Sequence, residues 1–474
     1  MLPDPVRTTL GADPTHRTCA LNGYAFQQDA LRSFNGWQYA CFYSSLASAQ
    51  EPLYVHLSRR KLPDGPWETI VFEDYAQTVD DGHNTVQLGI CPGDGTIHLS
   101  YDHHCDELRY RYSKVGVATS PESTRWETSL FTTTQSTLPG LEKSEKVADL
   151  LSYITYPRFV TRGQDLLFTF RTGKAGLGDD HLCVYTAASP SPSSSHNTVE
   201  KTGEEQKVGT YSFLGTHLKG IWNNPYIHGL DASADGSRLY TTWVYREFVH
   251  YPGWDDPADT QHKQQAGPNS AANNRDICYA WSSDGGTRWH SGGSIDSDEV
   301  EVIADLERGE SILPTSKGIV AFAIPKGSGL INQEAQAVDG EGGVHVLNRD
   351  NLDGGVQRWK HYYLSSHGAP WTQRALPHVD SVYGGKRGQI AVSRDGDLYF
   401  VLPHHTDPVL TILRASKANR YAEYELVWRG DGFPPTEPLV DKARLGDENV
   451  LSVFTRARTR SGGDVDVVVL DFQL

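Results

Sequence analysis

The sequence predicts an all-β fold, a seven-bladed β-propeller, and three observations predict it. A Gly/Asp turn followed by a β-rich run ending in polar residues recurs seven times. Further strand-like runs flank each copy, which makes about four strands per unit. "SSDGGTRW", Ser282 to Trp289, fits an Asp-box, a turn found between the outer strands of propeller blades.

The copies can be taken in order. "NGWQYACFYSS" starts at Asn35, "GDGTIHLSYDHH" at Gly93, "RGQDLLFTFRTG" at Arg162 and "ADGSRLYTTWVYRE" at Ala234. "GEGGVHVLNRD" follows from Gly340, "RDGDLYFVLPHH" from Arg394 and "GDENVLSVFTRAR" from Gly446. Most lie roughly 50 to 70 residues apart, a period that signals a repeat architecture. Extended runs such as "NTVQLGI" and "RGQIAVS" precede the turns. Runs such as "PLYVHLSRR" and "LTILRAS" follow the copies, and Trp- or Tyr-marked runs such as "RWETSLF" and "APWTQRALP" come after those. A sandwich would explain the strands but not the repeat. The whole chain, residues 1–474, is therefore expected to form one propeller domain. Two segments depart from the pattern. "ASPSPSSSHNTVEKTGEEQ" (188–206) is low-complexity, and a polar insertion spans about 250–275. Long loops of the second kind are often functional.

Composition excludes several functions. Lys+Arg 43 against Asp+Glu 59 gives a formal charge of -16, so nucleic acid and anionic membrane are poor partners. An acidic ligand would need a local cationic site. No stretch approaches the roughly 20 apolar residues of a membrane span, and the N-terminus shows no signal-peptide h-region. The six cysteines are scattered, with no CxxC and no disulfide framework.

The chemistry concentrates at "SYDHHCDELRYRYS", Ser100 to Ser113. If the first two strands of each unit form a hairpin, the start of one lies beside the end of the other. About the turn at Asp94, His83 lies eleven residues before and His103 nine after. About Gly163, Tyr156 lies seven before and Arg171 eight after. Both pairs are expected at one mouth of the central channel. Alternation along a strand points His104 to the opposite face, as a structural residue. The same strand end elsewhere carries Tyr43, Arg246, Arg349, His404 and Arg456, and with Asn224 and Arg387 these are the candidate substrate contacts. Gathered there, His and Arg supply the cationic site that a sugar-sized anion needs. The alternative for these histidines is metal, but His103, His104 and Cys105 cannot all face one ion from an extended strand. Cys278 with His250 or His262 is a weaker candidate zinc site.

Two histidines, a tyrosine and an arginine, without paired carboxylates, do not suit ordinary glycoside hydrolysis. They suit β-elimination from a uronate, in which a base removes the C5 proton and the O4-linked sugar departs. "DGHNTVQLGICPGDGTIHLSYDHHCDELRYRYS", "YPRF", "LLFTFRTGKAGLG", "TTWVYRE", "SSDGGTRW" and "YGGKRGQIAVS" together resemble the BNR-repeat polysaccharide lyases. That group includes the seven-bladed ulvan lyases and fungal L-rhamnose-α-1,4-D-glucuronate lyases. The resemblance implies His103 as base and acid, His83 and Arg171 on the uronate carboxylate, and Tyr156 assisting proton transfer or holding the sugar. It implies no cofactor for catalysis and leaves room for a structural calcium or zinc; an extracellular monomer is the expectation beside it, which no signal in the sequence fixes. The expected partner is a uronate-containing polysaccharide; a rhamnose-glucuronate bond of arabinogalactan ranks ahead of ulvan. A sialidase-like hydrolase and a propeller lectin are the rival readings.

Overall fold

Seven antiparallel sheets form the molecule, one for each repeat. The computed structural model describes all residues except 19–28, 47–50, 190–206, 234, 264–267, 293–300, 366–369 and 460–463. Most of the low-complexity segment and Cys19 thus lie outside the described residues. The five described cysteines are buried free thiols. Among the described residues no helix is long and apolar enough to cross a membrane.

Blade 1 pairs Leu31–Phe34, Trp37–Ser45, Leu53–Lys61 and Glu68–Gln77 in sequence order. Blade 3 follows the same plan with Ile154–Arg162, Asp165–Thr172, Asp180–Thr186 and Thr210–Leu218. Blade 4 runs from Asn223–Ala232 through Leu239–Glu247 and Asn274–Ser282 to Arg288–His290 and Val302–Asp305. Blades 5 and 6 start at Ala335–Val338 and Gln389–Val392. The inner strands line the axis, and neighbouring ones press closely where a glycine allows it. A Cβ on Gly89 would sit 2.6 Å from Phe159 of the next blade, and one on Gly229 would sit 2.6 Å from Gln336.

The core is divided in the same way, because each two-faced sheet buries both faces against its neighbours. Phe42, Leu99 and Phe454 share the cluster joining blades 1, 2 and 7. Leu182, Trp243 and Trp289 join blades 3 and 4, while Val401, Val427 and Phe472 join blades 6 and 7. The Asp-box forms the expected turn. Asp284 Oδ1 accepts from the backbone N–H of Thr287 and Arg288, and the buried Trp289 indole donates to Gly286 O at 2.9 Å.

Two features depart from the sequence reading. Blade 7 (Leu439–Val440, Val450–Arg458, Val465–Gln473) takes its outer strand from the N-terminus: Val6–Ala12 pairs with Val465–Gln473. Blade 2 has three strands, Val86–Ile90, Ile97–Tyr101 and Tyr110–Tyr112. The run "RWETSLF" is not its fourth strand. Trp126 packs instead on Tyr39 and Phe131, under the Arg59 guanidinium, and the chain makes a short 3-10 turn at Thr128–Leu130.

Candidate active site

One mouth of the channel opens into a cavity of about 500 Å³, sized for a sugar. Its lining comes from several blades: His83 and His104, Tyr156 and Arg171, Tyr226 and Arg246, Asn332, Lys386 and Arg387, and Glu437. Tyr251, His262 and Asn269 of the polar insertion complete one wall.

The backbone after Tyr101 decides which histidine enters. The strand Ile97–Tyr101 ends there, and Asp102 takes a left-handed conformation (φ 65°). Gln77 and Asn84 side-chain amides hold the Asp102 carboxylate at 3.0 and 2.7 Å. Alternation stops at that residue. His104–Asp106 leaves its own blade and pairs with Ile154 and Thr155 of blade 3. His104 therefore lines the cavity, and the expectation for His103 is corrected. His103 is 1% exposed and does not line the cavity; its Nε2 accepts the Arg109 backbone N–H at 2.8 Å. Burial, and then the Arg109 charge, hold its pKa well below the ordinary histidine value.

His83 stacks on His104 with ring centroids 3.7 Å apart. Asp81 bridges them: one carboxylate oxygen meets His83 Nδ1 and the other His104 Nδ1, each at 2.6 Å. Burial alone would raise the Asp81 carboxyl, but hydrogen bonds from His104 and His83 outweigh it and hold the acid well below its usual range. An ionised Asp81 can only accept. Each imidazole therefore carries its proton on Nδ1, and the lone pair is on Nε2. His104 Nε2 has no hydrogen-bond partner among the described residues. Burial first, and then His83 beside it, push the His104 pKa down to about 3, so it is neutral at ordinary pH.

Tyr156 reaches the cavity through a bulge. The register between Ile154–Arg162 and Asp165–Thr172 slips between Thr155 and Arg158, and Tyr156 sits at φ 56°. A left-handed tyrosine before Pro157 is strained, and such strain gathers at functional sites. Burial raises its pKa above the ordinary tyrosine value, so the hydroxyl stays protonated. The buried Arg171 guanidinium lies 4.9 Å from the Tyr156 ring and donates to Tyr226 Oη at 2.9 Å. Arg246 lies 4.6 Å from the Tyr226 ring and donates to Asn274 and Asn332. Among the described residues no carboxylate pairs with Arg171 or Arg246. Arg387 is neutralised in part, by Glu437 at 2.8 Å. Lys386 is pushed down to about 8, chiefly by burial.

The remaining sequence candidates do not line this cavity. Arg349 is tied to the buried Glu334 at 2.9 Å, and Arg456 to Asp13 at 3.1 Å. Asn224 is buried and donates to Lys174 O. Tyr43 packs in the core of blade 1. His404 faces a smaller cavity with Trp359 and Arg429. The reason is common to all: a strand end in register does not fix a side chain that a local partner claims. The proposed Cys278, His250 and His262 set is not brought together. Cys278 lies in the core between blades 3 and 4, His250 packs on Trp222, and His262 meets Tyr153 Oη at 2.9 Å. Asp81, His83 and His104 offer three ligand atoms within 4.8 Å of one another. In this structure Asp81 accepts from both imidazoles, which makes the three a carboxylate–bis-imidazole unit. Asp81, two residues before His83 in "DDGHN", was the available signal that sequence reasoning passed over.

Comparison with known proteins places the chain. A family model described as "BNR repeat-containing family member" matches residues 37–379, and the chain belongs to that family. No curated protein matches it. Among solved structures, polysaccharide lyase Uly1 superposes with TM-score 0.64 at 16% identity, covering 100% of this chain and 99% of that one. The Hadza microbial sialidase Hz136 matches with TM-score 0.41 at 11% identity, covering 98% of this chain and 68% of that one. The first likeness establishes the shared propeller fold; the second is too loose to argue from.

Proposed function

We propose that the protein is a polysaccharide lyase that cleaves the bond to O4 of a uronate by β-elimination. The observation that carries this reading is the pair of guanidiniums, Arg171 and Arg246, with no carboxylate partner among the described residues, lining one cavity with a neutral histidine whose tautomer Asp81 fixes. The C5 proton is weakly acidic while the neighbouring carboxylate is ionised. Cations placed on that carboxylate stabilise the charge that spreads onto it as the proton leaves. His104 Nε2 takes the C5 proton. The C5–H electron pair forms the C4=C5 double bond, the C4–O4 bond breaks, and the protonated Tyr156 hydroxyl donates its proton to the departing O4. Arg171 and Arg246 hold the carboxylate, with His83 beside it.

The lining supports elimination over hydrolysis on a second count. Among the described residues the one carboxylate in the lining is Glu437, already paired with Arg387, so they do not present the two flanking carboxylates of ordinary hydrolysis. Uly1, whose fold this chain shares, is a polysaccharide lyase, which agrees with this class. The substrate we assign is the rhamnose-α-1,4-glucuronate linkage of arabinogalactan, met outside the cell, as the sequence resemblance implies.

The test is ultraviolet absorbance of unsaturated uronate on gum arabic and on ulvan, wild type beside His104→Ala. The expected result is a rise on gum arabic that the variant loses. New reducing ends without absorbance would overturn the reading in favour of hydrolysis, and unaltered glycan that stays bound would favour a lectin.

A further inference from the structure

Beside the cavity lies a cluster that the reaction does not use. Trp222 is 54% exposed on a left-handed backbone (φ 54°), and Ile221 next to it is 48% exposed. Around Trp222 stand His250 at 5.1 Å, Trp254 at 5.8 Å and Phe248 at 6.1 Å between ring centroids. Phe248 and Trp254 also touch each other at 5.3 Å. A folded protein gains nothing by holding a tryptophan in a strained conformation and then leaving half of it in water.

The cluster is continuous with the cavity. Phe248 lies 6.3 Å from Tyr251, which lines the cavity, and follows Arg246 by two residues. Asn269, another lining residue, exchanges hydrogen bonds with the Val249 backbone. The segment carrying Trp254 is pinned: the Lys174 ammonium donates to Trp254 O and lies 3.6 Å from Asp259. Charge then selects the occupant. Asp255 and Asp256 directly follow Trp254 and are exposed, well inside one Debye length of the rings. A second uronate would be repelled there, whereas the apolar C–H face of an uncharged pyranose would stack on the indole.

We propose that Trp222, with Trp254, Phe248 and His250, is an aromatic subsite for neutral pyranose rings of the same glycan whose uronate occupies the cavity. The proposal rests on the lyase reading for which glycan is bound, but not for whether the platform binds sugar. It adds affinity for long chains and takes no part in bond cleavage.

Two measurements test it. The first is affinity electrophoresis in carboxyl-reduced gum arabic, whose neutral sugars give the cationic cavity nothing to hold. Wild type is expected to be retarded and Trp222→Ala to run freely, with Trp222→Phe restoring part of the retardation. The second is kinetics on intact gum arabic. Trp222→Ala is expected to raise KM about tenfold, equivalent to ~1.4 kcal/mol of lost binding, with kcat within about twofold. Equal retardation of wild type and Trp222→Ala would overturn the subsite while leaving lyase activity untouched. So would a Trp222→Ala change confined to self-association in gel filtration, since the cluster would then be an interface between copies. Retardation lost in Trp222→Ala, in a protein that forms no unsaturated uronate, would keep the subsite and remove the lyase.

Discussion

At the scale of the residue, two neighbouring histidines have opposite fates, and the left-handed Asp102 just before them sets the divergence. His103 is held by a backbone N–H and closed off from the cavity, while His104 stands in it against Asp81. His104→Ala is therefore expected to lower kcat about 10³-fold, as loss of a general base does. His103→Ala should instead lower Tm, with kcat of the folded enzyme little changed; kinetics and melting curves on both variants decide the assignment. Asp81→Asn cannot take the Nδ1 proton as a charged acceptor, and an orienting partner of this kind is worth about 10–100-fold in rate. The pH profile follows the same geometry. With the His104 pKa pushed down to about 3, the base stays unprotonated far below 6.5, so kcat/KM should hold from neutral pH to about 5. An acid limb centred near 6.5 would place the base elsewhere.

At the scale of the element, what was legible was whatever repeats. The turn-and-strand period gave the blades, and hairpin pairing correctly placed Tyr156 and Arg171 together. The site became illegible where an element breaks its own rule: the turn at Asp102, the bulge at Tyr156, and the short strand His104–Asp106 that crosses to the next blade. Alternation assumes an extended chain, and it placed His103 rather than His104 at the cavity as soon as the chain ceased to be extended. Arg349 and Arg456 failed for another reason. Asp13, which compensates Arg456, lies 443 residues away, so no local pattern could reveal it; Glu334, which compensates Arg349, is fifteen residues away across the hairpin of Ala335–Val338 and Val344–Asp350, and hairpin pairing passed it over. The Asp-box is the opposite case, since every partner lies within its own turn. Trp289 fills the space between blades 3 and 4 and caps Gly286 O. Trp289→Ala should cost about 3–5 kcal/mol by denaturant titration, the range for a large buried side chain lost to a cavity.

At the scale of the whole molecule, the ring of blades is closed by pairing a strand early in the sequence with one late in it. Val6–Ala12 is the outer strand of blade 7, a pairing that no repeat pattern announces because the strand stands more than 400 residues from its partner. Removing residues 1–12 should expose the edge of Val465–Gln473 and lower Tm, with activity lost only as the fold opens. The ring also buries histidines between its blades. His98, His181, His217 and His228, like His104, are pushed down to about 3, with burial the leading cause in each. Unfolded, each would titrate near 6.5. Between about pH 6.5 and 3 the unfolded chain therefore binds more protons than the folded one, and stability falls as pH falls through that window. Each such histidine contributes a slope of about 1.4 kcal/mol per pH unit there until its blade opens. Chemical denaturation at pH 7.5, 6 and 5 should show the midpoint dropping steeply below 6.5 and level above it. A midpoint unchanged down to pH 5 would mean that these histidines are protonated in place, and that the blades are wetter than their packing shows.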